Sequence, residues 1–92
     1  MKDEKVRAHI RVYGRVQGIG FRYFAVFNAK ALDVKGFIKN LKDGSVEGVF
    51  EGKKEDVKSL IDRIRRHPLA RIDKMDIKWE KAKNEFDDFN MY

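Results

Sequence analysis

A chain of 92 residues with no cysteine, 42% hydrophobic residues and a net charge of +6 is sized for one compact unit over residues 1–92, with no disulfide scaffold and no large internal cavity. No apolar run approaches about 18 residues and the start, Met1-Lys2-Asp3-Glu4-Lys5, is charged, so neither a transmembrane helix nor a secretory signal is expected and a cytoplasmic setting is. The positive balance favours acidic ligands, but charged residues make up 39% of the chain with both signs interspersed, so charge alone specifies neither nucleic acid nor membrane.

Val6, Ala8, Ile10 and Val12 alternate with Arg7, His9, Arg11 and Tyr13, which predicts a half-buried strand ending at Gly14. Gly14-Arg15-Val16-Gln17-Gly18-Ile19-Gly20-Phe21-Arg22 follows. Three glycines in seven positions permit left-handed backbone and can aim several N–H groups into one concavity. From Phe21 the period becomes helical: Phe21, Phe24, Ala25, Asn28, Ala29 and Leu32 share a face. The helix start adds free N–H groups and a positive dipole end, and Arg22 falls in its first turn. Phosphate is one occupant that such a loop suits. A tight connection with an exposed arginine is the other reading of the same residues.

Asp33 and Val34 close the helix, and Lys35-Gly36 turn the chain. Phe37 to Leu41 is a second strand, Lys42-Asp43-Gly44 a hairpin signal, and Ser45 to Glu51 the returning strand. Val57, Leu60, Ile61 and Ile64 give a second amphipathic helix, stopped at His67-Pro68. Ile72, then Met75, Ile77 and Trp79, predict a fourth strand. Lys81 to Asp88 is a polar connection, and Phe89 to Tyr92 a short closing strand. The order predicts an α+β, ferredoxin-like split β-α-β (βαββαβ) sandwich: an antiparallel sheet of four to five strands with two helices on one face.

Absences close several chemical routes. Without Cys there is no thiolate nucleophile; there is no Thr, and Ser45 and Ser59 sit where neither suits nucleophilic attack. No P-loop and no metal-ligand spacing is present. His9 reads as a surface histidine, His67 as a helix-end residue meeting free carbonyls, and Phe21, Phe24 and Phe27 as core. Arg22, the loop amides and Asn40 remain. Asn40 precedes the hairpin on a strand that could lie beside the first, and its amide can donate and accept at once and so orient a water.

Two stretches carry a resemblance. Gly14-Arg15-Val16-Gln17-Gly18-Ile19-Gly20-Phe21-Arg22 and Gly36-Phe37-Ile38-Lys39-Asn40, with Asp43-Gly44-Ser45-Val46 and on to Gly52, resemble the two signature motifs of the acylphosphatase family, in order and in spacing. Ile19 and Ile38 keep the branched apolar character usual there. Asp33 stands where a glycine is common, at a position expected to need positive φ. The resemblance implies hydrolysis of the carboxyl-phosphate bond of acyl phosphates, with no metal and no cofactor. It implies phosphate binding by Arg22 and the loop from Arg15 through Val16, Gln17, Gly18 and Ile19 to Gly20, and a water positioned by Asn40. The expected partner is a small acyl phosphate, on a monomeric protein without membrane or nucleic-acid contact. Lys35-Gly36-Phe37-Ile38 echoes part of an RNA-recognition element but starts the wrong strand. A domain handling carbamoyl phosphate within a larger enzyme is a further alternative; the chain as given carries no appended domain, which favours a free-standing hydrolase.

Overall fold

A computed structural model describes residues 4–92. Met1 to Asp3, part of the start judged above to lack a secretory signal, lie outside the described residues. The elements are β1 (Lys5–Arg15), α1 (Phe21–Ala31), β2 (Lys35–Asn40), β3 (Val46–Lys53), α2 (Lys54–Arg65), β4 (Arg71–Lys81) and β5 (Phe89–Met91). The strands form one sheet in the order β4-β1-β3-β2-β5. This is the ferredoxin-like βαββαβ plan with a fifth strand at one edge. Its antiparallel character stops at β2, because β5 pairs with β2 in parallel and makes the sheet mixed.

Alternation along β1 puts Val6, Ala8, Ile10 and Val12 on the inner face, opposite Gly52, Phe50, Gly48 and Val46 of β3. The helices close that face with Phe21, Ala25 and Ala29 from α1 and Val57, Leu60, Ile61 and Ile64 from α2, all buried. Each large apolar side chain buried there contributes roughly 1.5–3 kcal/mol. Phe27 departs from the expected aromatic core. It is 75% exposed, because six residues beyond Phe21 is about 240° round a helix. Phe24 is half-buried at the rim.

The sequence pattern misplaces two boundaries. β1 continues through Arg15, which pairs with Arg71 of β4. Lys35-Gly36 do not turn the chain; they open β2. Gly36 is needed for close approach, since a Cβ there would lie 1.8 Å from the Val49 carbonyl oxygen. The actual turn is at Asp33, whose φ of 57° matches the expected positive φ, and Val34 N–H then donates back to Ala29 O. The irregular step from Ile72 to Met75 also finds its cause. Tyr13 pairs with Lys74 and Gly14 with Ile72, so Asp73 is the extra residue of a bulge.

Nor does His67 cap free carbonyls. Backbone N–H groups of Arg66 and His67 already serve Arg63 and Ile64. The imidazole is instead buried against Phe21 and Phe24, ring centroids 5.8 and 4.8 Å away, and its Nδ1 accepts from Leu69 N–H.

Candidate functional site

Residues Val16 to Gly20 carry the chain from β1 into α1 at one end of the sheet. Val16 is buried and Ile19 packs against the core, so two apolar side chains pin the loop from inside. Gly18 and Gly20 have φ of 76° and 77°, a left-handed backbone that costs about 1–2 kcal/mol for a residue with a Cβ. Among the described residues, the N–H groups of Val16, Gln17, Gly18, Ile19 and Gly20 donate no hydrogen bond within the chain. α1 begins at Gly20 with no side-chain cap and no acidic residue in its first turn. Its first N–H groups and the positive end of its dipole therefore meet no counter-charge from their own first turn. Arg15, being paired in β1, stands outside this loop.

Arg22 lies in the first turn of α1. One guanidinium nitrogen donates to the backbone carbonyl of Tyr92 at 2.8 Å, and among the described residues it makes no ion pair. Tyr92 N–H in turn donates to Ile38 O at 2.9 Å. Tyr92, the residue after β5, thus ties Arg22 to the strand that carries Asn40.

Asn40 is the last residue of β2 and pairs with Val46, which pairs with Val12. The second strand therefore does not lie beside the first; β3 separates them. Asn40 still faces the helix side at the same end of the sheet as the loop. Its Oδ1 is buried and, among the described residues, has no hydrogen-bond partner. Leaving a buried acceptor unpaired costs about 1–3 kcal/mol, so such an atom calls for a functional explanation. The gap left by β3 is bridged by Gln17, whose Nε2 donates to Leu41 O (2.9 Å) and Ser45 O (3.0 Å) across the mouth of the hairpin.

The acylphosphatase family model matches residues 8–91. An acylphosphatase of Thermococcus kodakarensis is 48% identical over 79 residues, 85% of this chain and 87% of that protein. The chain belongs to the acylphosphatase family. The crystal structure of acylphosphatase from Bacillus subtilis superposes with a TM-score of 0.89 at 28% identity, covering 95% of this chain and 98% of that one. The likeness extends to the probable carbamoyltransferase HypF of Methanocaldococcus jannaschii, 46% identical over 92% of this chain but only 11% of that protein.

In this acylphosphatase two hydrogen-bonding roles around the candidate site had no legible signal, the carbonyl of Tyr92 and the side-chain amide of Gln17. Tyr92 acts through a backbone carbonyl, which every residue possesses. Gln17 was anticipated as part of the loop, yet its side-chain amide is spent on the hairpin, leaving only its backbone N–H for a ligand. Among the described residues, no group of three or more His, Asp or Glu is placed to hold a metal ion, and no helix is long and apolar enough to cross a membrane. Phe37, the aromatic of the RNA-like echo, lies against Phe86 and Tyr92 rather than standing free.

Proposed function

We propose that this acylphosphatase hydrolyses the carboxyl-phosphate bond of acyl phosphates, with the phosphoryl group held by the N–H groups of Val16 to Gly20 and the Arg22 guanidinium, and the attacking water oriented by Asn40. The observation that carries the reading is the unpartnered, buried Oδ1 of Asn40 at the same end of the sheet as a loop of unused N–H donors. Oδ1 accepts a hydrogen bond from one water O–H, which stays on that oxygen as the new P–OH, and so turns a lone pair of the water oxygen toward phosphorus. A P–O bond forms to that oxygen and the P–O bond to the acyl group breaks. The carboxylate leaves with the electron pair, and the second water proton passes to a phosphoryl oxygen. A dianionic acyl phosphate plus water thus yields a carboxylate and dihydrogen phosphate. A carboxylate is already a good leaving group, so placement and charge stabilisation suffice without a strong base. The reading includes the cytoplasmic setting, the monomeric state and the single unit over residues 1–92 anticipated above.

The test is steady-state kinetics on acetyl and benzoyl phosphate, with inorganic phosphate as competitive inhibitor. Arg22→Ala removes a charge-assisted donor worth roughly 2–4 kcal/mol and is expected to abolish phosphate inhibition and turnover together. Asn40→Ala is expected to lower kcat at least a hundredfold with the inhibition constant nearly unchanged. Full kcat in either variant overturns the assigned roles. The likeness to HypF favours carbamoyl phosphate as a second candidate substrate; a kcat/KM for it far above that for acetyl phosphate would establish that preference.

A further inference from the structure

We propose that Arg11 and Asp43 are positioning residues for the hydrolysis proposed above. They brace the hairpin turn from the open face of the sheet, and so hold Asn40 at its working distance from the loop. The inference rests on that reading of Asn40.

The brace is built from a side not occupied by the loop. Arg11 stands on the open face of β1, directly opposite Glu47 in the ladder. Its guanidinium reaches along the sheet: Nε donates to Ser45 Oγ at 2.9 Å and a terminal nitrogen donates to Asp43 Oδ2 at 2.7 Å. Asp43 uses its other oxygen inside the turn, where Oδ1 accepts from the Ser45 N–H at 2.9 Å and from the Ser45 hydroxyl. The Tyr13 ring lies under the guanidinium, 5.4 Å from its carbon. Ser45 is buried, so this network is anchored at the first residue after the turn rather than loosely at its tip. Leu41 N–H closes the turn on Ser45 O.

Two independent clamps therefore converge on residues 41–45. Gln17 grips the carbonyls of Leu41 and Ser45 from the loop, and Arg11 grips Asp43 and Ser45 from the sheet. Asn40 is the residue immediately before this segment, and the buried Oδ1 has no partner of its own to fix it. What sets its position is the backbone on either side: β2 behind it and the clamped turn ahead. A turn held by Gln17 alone could pivot about that one amide. The second clamp removes the pivot, which matters because a reacting water misplaced by about 1 Å costs on the order of a hundredfold in rate. The side chains of Arg11 and Asp43 are 40% and 51% exposed, so neither is buried for the sake of the core.

The experiment is a double-mutant cycle on acetyl phosphate. Asp43→Asn and Arg11→Gln are each expected to lower kcat five- to twentyfold while the inhibition constant for inorganic phosphate stays within twofold. Arg11→Lys, which keeps the charge but not the two-point grip, should fall between. In an Asn40→Ala background the same substitutions should have no further effect on kcat, because the group they position is gone. Multiplicative losses in that background, or a rise in the phosphate inhibition constant matching the fall in kcat, overturn the proposal. So does unchanged kcat in both single variants. Should Asn40→Ala itself keep full kcat, it is the reading of Asn40 that fails first. A melting temperature for each variant separates a lost position from a lost fold.

Discussion

The two helices of this molecule begin in opposite ways. In α1 the first three positions are Phe21, Arg22 and Tyr23, after a left-handed Gly20 without a side-chain cap. In α2 the matching positions are Lys54, Glu55 and Asp56, and the Lys54 N–H already donates to Glu4 O. Both helices are about three turns long, so both carry a similar dipole. α2 neutralises its positive end with its own carboxylates, as a structural helix should. α1 places a cation there and leaves its first N–H groups without acceptors among the described residues. The contrast supports the reading proposed above, since a helix start without a neutralising carboxylate is a favourable place for an external anion.

The ends of the sheet repeat the contrast. At the α2 end, Arg7 and Glu51 form a buried pair at 2.9 Å, and the Glu51 carboxylate also accepts from Lys83 N–H. At the α1 end, Asp43 is paired with Arg11 and Asp73 with Arg71, while Arg15 and Arg22 have no carboxylate partner among the described residues. Positive charge is left over where the loop is.

Among changes to the two helix starts, the largest effect should come from giving α1 the start that α2 has. Tyr23, 68% exposed, occupies the third helical position, as Asp56 does in α2. Tyr23→Glu is expected to raise the inhibition constant for inorganic phosphate about tenfold, because its carboxylate takes the dipole end and repels the ligand. The melting temperature should rise slightly. An unchanged phosphate constant would mean that the α1 dipole takes no part in binding. Removing the carboxylates from α2 is the mirror experiment. Glu55→Gln with Asp56→Asn should cost about 0.3–1 kcal/mol per site in denaturant unfolding with no change in kcat or KM.

The smallest effect is one of pH. Hydrogen bonds from the Ser45 hydroxyl and N–H, joined by Arg11, hold the Asp43 carboxyl down to about 2. Burial pushes the Glu51 carboxyl up, but the Lys83 N–H and the Arg7 guanidinium outweigh it and leave it below its ordinary value. Both groups therefore favour the folded state most above the ordinary carboxylate values of 3.8 and 4.5, and that contribution drains away as pH falls through the folded values. Glu51→Gln should make the melting temperature fall less steeply between mildly acidic and strongly acidic buffer. An equally steep fall would mean that this buried pair does not shape the acid limb.

Local chemistry is the part of this protein that can be read along the chain. Period two in β1, helical spacing from Phe21 and Val57, the glycines at 18 and 20 and the hairpin at 42–44 all depend on neighbours within a few residues. They survive reading along the chain, as does the family pattern built from them. The strand order, the parallel docking of β5 and the geometry of the site were decided only in three dimensions. β3 lies between β1 and β2, so Asn40 comes near the loop through a side-chain bridge 24 residues away in sequence, Gln17 to Leu41. Arg22 is held by a carbonyl 70 residues away. Backbone acceptors carry no residue identity, and a buried oxygen is known to lack a partner only when all its neighbours are in place. For that reason the residue types at this site were legible in one dimension, while what holds them in position was not.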